Sequence, residues 1–161
     1  MFGSLKKLCD NVKNLDSNKI LLTIWFDKNI QDYILDLNRL NQLFKDGVDA
    51  NSELLGYYSG ATEWITRGKN YQYGGLSSKK TSADHITLYD TGAFYASFRI
   101  IVQKDGFKVY ANSIVDDGND LTEIYGENII GLTNESTEQL AIKILPMVVK
   151  NVREFILRGV L

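Results

Sequence analysis

The feature that most constrains this chain is the stretch from 18 to 45, "NKILLTIWFDKNIQDYILDLNRLNQLFK". Ile20, Ile24, Ile30, Ile34, Leu37, Leu40 and Phe44 recur at spacings of mostly three and four, and Trp25, Tyr33 and Leu43 widen the stripe. That period predicts an amphipathic helix from about 18 to 45, roughly 40 Å long at ~1.5 Å per residue. Gly47, just after Lys45, is placed to end it in a left-handed cap. Asp16 or Ser17 is placed to start it as N-cap. A stripe of that length needs more apolar partner surface than a small sheet offers. Residues 2 to 14 predict a shorter amphipathic helix, with Leu5, Leu8 and Val12 on one side.

The partner surface is written further along. "SFRIIVQ" (97–103) and "FKVYAN" (107–112) alternate in part, and Asp105-Gly106 between them signals a hairpin turn. Phe98, Ile100 and Val102 would share a face with Phe107, Val109 and Ala111. "ITLY" (86–89) reads as a short extra strand. Thr133 is placed as N-cap of a C-terminal helix, with Glu135 and Glu138 in its opening turns. Leu140, Ile144, Val148, Val152, Phe155 and Ile156 keep helical spacing to its end, while Pro146 inside it should kink or break it. The expected fold is therefore α+β: a long N-terminal helix and a C-terminal helix packed on a small antiparallel β-sheet. Its 161 residues suit a single domain, 1–161, with 1–16 as an N-terminal helical arm and 67–83 as a mobile loop.

Charge and cysteine content narrow the chemistry. A net charge of -2 gives no general attraction to nucleic acid or to an anionic membrane. Cys9 is the only cysteine, so neither an intrachain disulfide nor a Cys-based zinc site can form. The opening "MFGSLKKLCDNVKNL" lacks the apolar core of a secretory signal. No run approaches the ~18 apolar residues of a membrane span.

Few residues invite catalysis. His85 is the only histidine, and without a G-x-S-x-G elbow it reads as a loop residue leading into a strand. "YDTG" (89–92) matches the tripeptide of aspartic proteases, which need two carboxylates sharing a proton. A homodimer could supply both through Asp90. Asp116, Asp117 and Asp120 around Gly118 suggest calcium but lack the alternation and closing Glu of an EF-hand loop. No phosphate loop or dinucleotide fingerprint occurs. No cofactor and no metal is expected.

Charge is unevenly spread. Residues 67–83 carry Arg67, Lys69, Lys79 and Lys80 and no acid, whereas 115–138 carry seven acids and no base. The plain reading is two solvated loops. The sharper one is a pair of complementary surfaces meeting head-to-tail between neighbouring copies. In that reading Tyr71, Tyr73, Lys79 and Lys80 face Asp116, Asp117 and Glu123 of a neighbour.

Taken in order, several segments resemble the virion morphogenesis and tail-completion proteins of tailed bacteriophages, Mu-like and lambdoid types included. Those proteins have a long N-terminal helix ending in phenylalanine, a few polar residues, Asp and Gly, similar to "LFKDGVDANSELLGYYSGAT" (43–62). A variable loop and a Leu-x-Asp-Thr-Gly-x-Leu-x-x-Ser-Ile pattern follow, similar to "LYDTGAFYASFRI". A Leu-Gly-Leu-Ser pattern with an acidic helix start is matched by "IIGLTNESTEQL" (129–140). The likeness spans roughly residues 20 to 156 and extends loosely to crAss-like and other phages of Bacteroidetes hosts. The family's arginine-rich element before Leu-Gly-Leu is replaced here by "LTEIYGENI". The resemblance implies a structural protein of the neck or tail, not an enzyme, located in the virion and made in the bacterial host cytoplasm. It implies a homo-oligomeric ring of six or twelve copies that contacts other neck, tail and portal proteins. No membrane is implied, and DNA at most passes through a channel. Asp90, Thr91, Gly92, Phe94 and Ser97 are then architectural: Asp90 caps a helical turn, Phe94 enters the core and Ser97 starts the strand. A homodimeric aspartic-type hydrolase and a small intracellular regulatory binding module are the alternatives.

Overall fold

The computed structural model describes residues 2–62, 84–115 and 118–158. The fold is α+β. In chain order it runs α1 (Phe2–Lys13), α2 (Ser17–Trp25), α3 (Lys28–Asp36), a π-helix (Leu37–Asp46), α4 (Ala93–Ala96), β1 (Arg99–Gln103), β2 (Gly106–Tyr110), α5 (Leu121–Tyr125), a 3-10 turn (Glu127–Ile129) and α6 (Asn134–Arg158).

The helix expected over 18–45 is three segments. Asp16 caps α2 as expected, its carboxylate accepting from the backbone N–H groups of Asn18 and Lys19. The chain then stops at Phe26 because Asp27 offers its carboxylate to the N–H groups of Asn29 and Ile30, starting α3. Gln31 seals the break by donating to the Trp25 carbonyl at 2.8 Å. The six-residue gap between Ile24 and Ile30 marks this joint.

The third segment winds as a π-helix, and this changes which side chains enter the core. Its buried residues are Leu37, Asn38, Gln42 and Leu43, a repeat of five. Leu40, placed inside by the ordinary helical period, is instead 38% exposed. Gly47 ends the segment in the left-handed region at φ 65°, as its position predicts.

β1 and β2 form an antiparallel hairpin in which Ile100 pairs with Val109 and Val102 with Phe107. The inward face is the predicted one, with Phe98, Val109 and Ala111 buried. The loop is Lys104-Asp105, and Gly106 already belongs to β2 opposite Gln103. The strand expected at 86–89 does not form; a single bridge, between His85 and Tyr57, precedes it. Thr133 caps α6 by accepting from the Ser136 N–H at 3.1 Å. α6 passes through Pro146 without a break. The carbonyl that loses its bond there belongs to Ile142, at a solvent-facing position.

The core is one buried cluster joining α2, α3, the π-helix, α4, the hairpin and α6. Trp25 meets Phe107 edge-on at 4.9 Å, and Phe94 meets Phe98 at the same distance. α1 packs on α6, and Asn11 donates to the Ile156 carbonyl at 2.9 Å. Leu5 and Val12 nonetheless stay exposed.

Candidate functional site

Two polar constructions stand out. The first is buried. Asn38 and Gln42, one turn apart on the π-helix, grip the backbone of residues 129–133. Asn38 donates to the Ile129 carbonyl at 3.3 Å and accepts from the Gly131 N–H at 3.0 Å. Gln42 donates to the Gly131 carbonyl at 2.9 Å and accepts from the Thr133 N–H at 3.0 Å. Each amide thereby uses both its carbonyl and its NH2 group, so burial leaves the pair satisfied. This clasp fixes the "IIGLT" segment.

The second construction is open: a pocket of about 290 Å³ around the Asp-Thr-Gly turn, with walls that include Tyr58, Leu88, Tyr89, Asp90, Thr91 and Tyr125. Its position follows from the segment 84–92. His85 anchors that segment to the π-helix: its Nε2 bonds the Phe44 carbonyl at 2.9 Å, which requires a proton on Nε2. The ring also lies over Gly47, where a Cβ would sit 2.3 Å from His85 Cδ2. Only glycine fits there, by φ and by space. Next, Thr87 donates its N–H to the Tyr58 hydroxyl at 3.0 Å and accepts the Tyr95 O–H at its carbonyl. Leu88 is then held at φ 55°, a left-handed conformation that L-residues rarely adopt.

Gly92, at φ 87°, is the residue before α4. Thr91 supplies one local bond on the turn, its Oγ1 accepting from the Ala93 N–H at 3.2 Å. Gly92 passes close to Tyr89, whose hydroxyl would lie 3.0 Å from an added Cβ. Phe94 enters the core, 4% exposed, as predicted. Ser97 ends α4 rather than starting β1. Its Oγ donates to the Phe94 carbonyl at 2.6 Å and accepts from the Asn112 N–H at 2.9 Å, tying the turn to the far end of the hairpin. Arg39 adds a tie from the π-helix, bonding the Tyr95 carbonyl at 3.2 Å and Asp36 at 2.7 Å.

Burial pushes the Tyr95 phenol well above its usual range, and the neighbouring Tyr58 and Tyr89 hydroxyls push the same way. Burial, then Tyr58, raises Tyr125. Both stay neutral phenols at physiological pH, and Tyr95 serves as a hydrogen-bond donor to the Thr87 carbonyl. Asp90 is the one carboxylate among the described residues that line the pocket. Among the described residues no cluster of three or more His, Cys, Asp or Glu side chains is placed to hold a metal.

Of the predicted contact residues, Tyr71, Tyr73, Lys79, Lys80, Asp116 and Asp117 lie outside the described residues. Glu123 is exposed in the first turn of α5, behind the N-cap Asp120. Asp120 accepts from the Thr122 N–H at 2.8 Å and the Thr122 hydroxyl at 2.7 Å, which holds its carboxyl below the usual range. Sequence reasoning missed Asn38, Gln42, Tyr58 and Thr87. A signal existed for the first two, polar amides five and one positions before Leu43 in an apolar stripe; for Thr87 none did.

In comparisons with known proteins, no family model matches the chain, and no curated protein or solved structure matches it either.

Proposed function

We propose that the chain is a structural virion protein of a tailed phage, acting in head–tail joining or tail completion as a ring component of the neck or tail. It works through self-association, in six or twelve copies, and through contacts with other neck, tail or portal proteins, with no bond made or broken. The observation that carries this reading is how the segment 90–97 uses its polar groups. Thr91 and Ser97 both bond backbone within the fold, and Gly92 and Phe94 serve close approach and packing. This suits the architectural role that the resemblance assigns to Asp-Thr-Gly. The clasp on residues 129–133 gives the second shared pattern a comparable task. Ring contacts follow from charge: the basic 67–83 segment of one copy docks on the acidic 115–138 surface of the next, where Glu123 is exposed. Mass spectrometry of purified particles from cells producing the chain should find it at a stoichiometry fitting a ring. Its absence from particles would sink the reading.

One observation favours a second reading, a homodimeric hydrolase: Asp90 lines a pocket beside a strained residue. Asp90→Asn separates the two. A scaffold carrying it still enters particles, whereas a hydrolase loses turnover.

A further inference from the structure

α6 has two apolar faces. One, with Leu140 and Ile144, is buried in the core. The other runs along Ile142, Leu145, Val149, Val152 and Ile156, at spacings of 3, 4, 3 and 4, with Glu138 four positions before its start. That is a heptad seam, the pattern that recruits a second helix. Ile142 is 73% exposed and Leu145 and Val149 are each 59% exposed, while Val152 and Ile156 are half-buried. Scattered surface leucines need no explanation, but an aligned row at this period does.

Charge along the seam selects the occupant. The N-terminal end of α6 carries exposed Glu135 and Glu138; its C-terminal half carries exposed Lys150 and Arg153. A parallel copy of the same helix would set Glu138 against Glu138 and Arg153 against Arg153. An antiparallel copy, turned about a twofold axis near Met147, sets Leu145 level with Val149 and Ile142 with Val152. It also brings Glu138 within a turn of the other copy's Arg153, in reach of that long side chain. Self-complementarity of this kind is what an isologous twofold contact requires.

We infer that the outer face of α6 pairs antiparallel with the same face of a second copy of this chain. The contact goes beyond the virion reading: it closes on two copies, distinct from the head-to-tail contact of a ring, and it stands or falls whether or not the chain enters particles.

Light scattering and sedimentation of the full chain test it. The wild type should form a dimer whose mass falls on dilution. Leu145→Asp, at an exposed position, should give a monomer with unchanged circular dichroism. Glu138→Arg and Arg153→Glu should each weaken the dimer about tenfold, since each places like charges together at both symmetry-related ends. The double variant Glu138→Arg/Arg153→Glu should recover wild-type dimerisation, because each reversed charge again meets its opposite. A wild type that is monomeric at every concentration reached overturns the inference. So does a dimer that survives Leu145→Asp, or a double variant no better than the singles.

Discussion

The clasp at Asn38 and Gln42 and the segment at 84–92 both use side chains to hold irregular backbone, yet they are built on opposite terms. In the clasp, two buried amides meet the backbone of residues 129–133, each engaging both its carbonyl and its NH2 group. Along 84–92, the ties come from half-buried Tyr58 and Thr87, Leu88 sits in a disfavoured conformation, and the product is an open pocket. The difference separates a place where the fold is secured from a place where it is left available. Buried polar networks that are satisfied rigidify; strain beside a cavity is where binding or contact surfaces are found.

Gln42→Leu attacks the secured side and should have the largest effect. It strips partners from the half-buried Gly131 carbonyl and the buried Thr133 N–H, at a cost of about 3 kcal/mol, read as a lower midpoint in urea unfolding. Gly47→Ala strikes the hinge between the two regions. It forces alanine into a left-handed conformation and displaces the His85 ring, costing about 2 kcal/mol. Combined with His85→Ala, the loss should be smaller than the sum, since the clash goes with the ring. On the open side, Leu88→Gly should stay within about 1 kcal/mol of wild type, because relief of the backbone offsets lost packing. A cost as large as that of Gln42→Leu would erase the contrast.

Asp120 sharpens the comparison at low pH. Its folded carboxyl titrates below the usual range, so its contribution is present above the unfolded value of about 3.9 and is lost as pH falls through the folded value. The stability gap between wild type and Asp120→Ala should therefore be constant near neutrality and close in acid. A gap that persists at the lowest pH would show that the carboxylate's charge is not what matters.

The fold class was legible because its signals are local and periodic: the hairpin face, the Asp16 and Thr133 caps and the Gly47 stop all stand where the residues place them. The joint at Phe26–Asp27 was harder to read, since one Asp among many polar residues decided it. The π-winding defeated the helical period, which put Leu40 inside and gave no role to Asn38. The pocket was least legible. Tyr58 and Thr87 lie 29 positions apart, and only a long-range contact makes them neighbours. On the Asp-Thr-Gly turn, Thr91 also bonds backbone, at the Ala93 N–H, a task that its neighbours in sequence do not single out.

The π-helix carries a consequence for how this chain can change length. Winding with i→i+5 bonds accommodates an extra residue that an ordinary helix would not hold. With that winding kept, deleting one position between Leu37 and Leu43 would turn everything after it by roughly 80–100° about the helix axis. The Phe44 carbonyl would swing away from His85, and Gly47 would no longer lie beneath its ring. Single-residue deletions here should be far less tolerated than substitutions at Leu40 or Asn41, which makes this stretch a fixed spacer in any lineage or library derived from the chain.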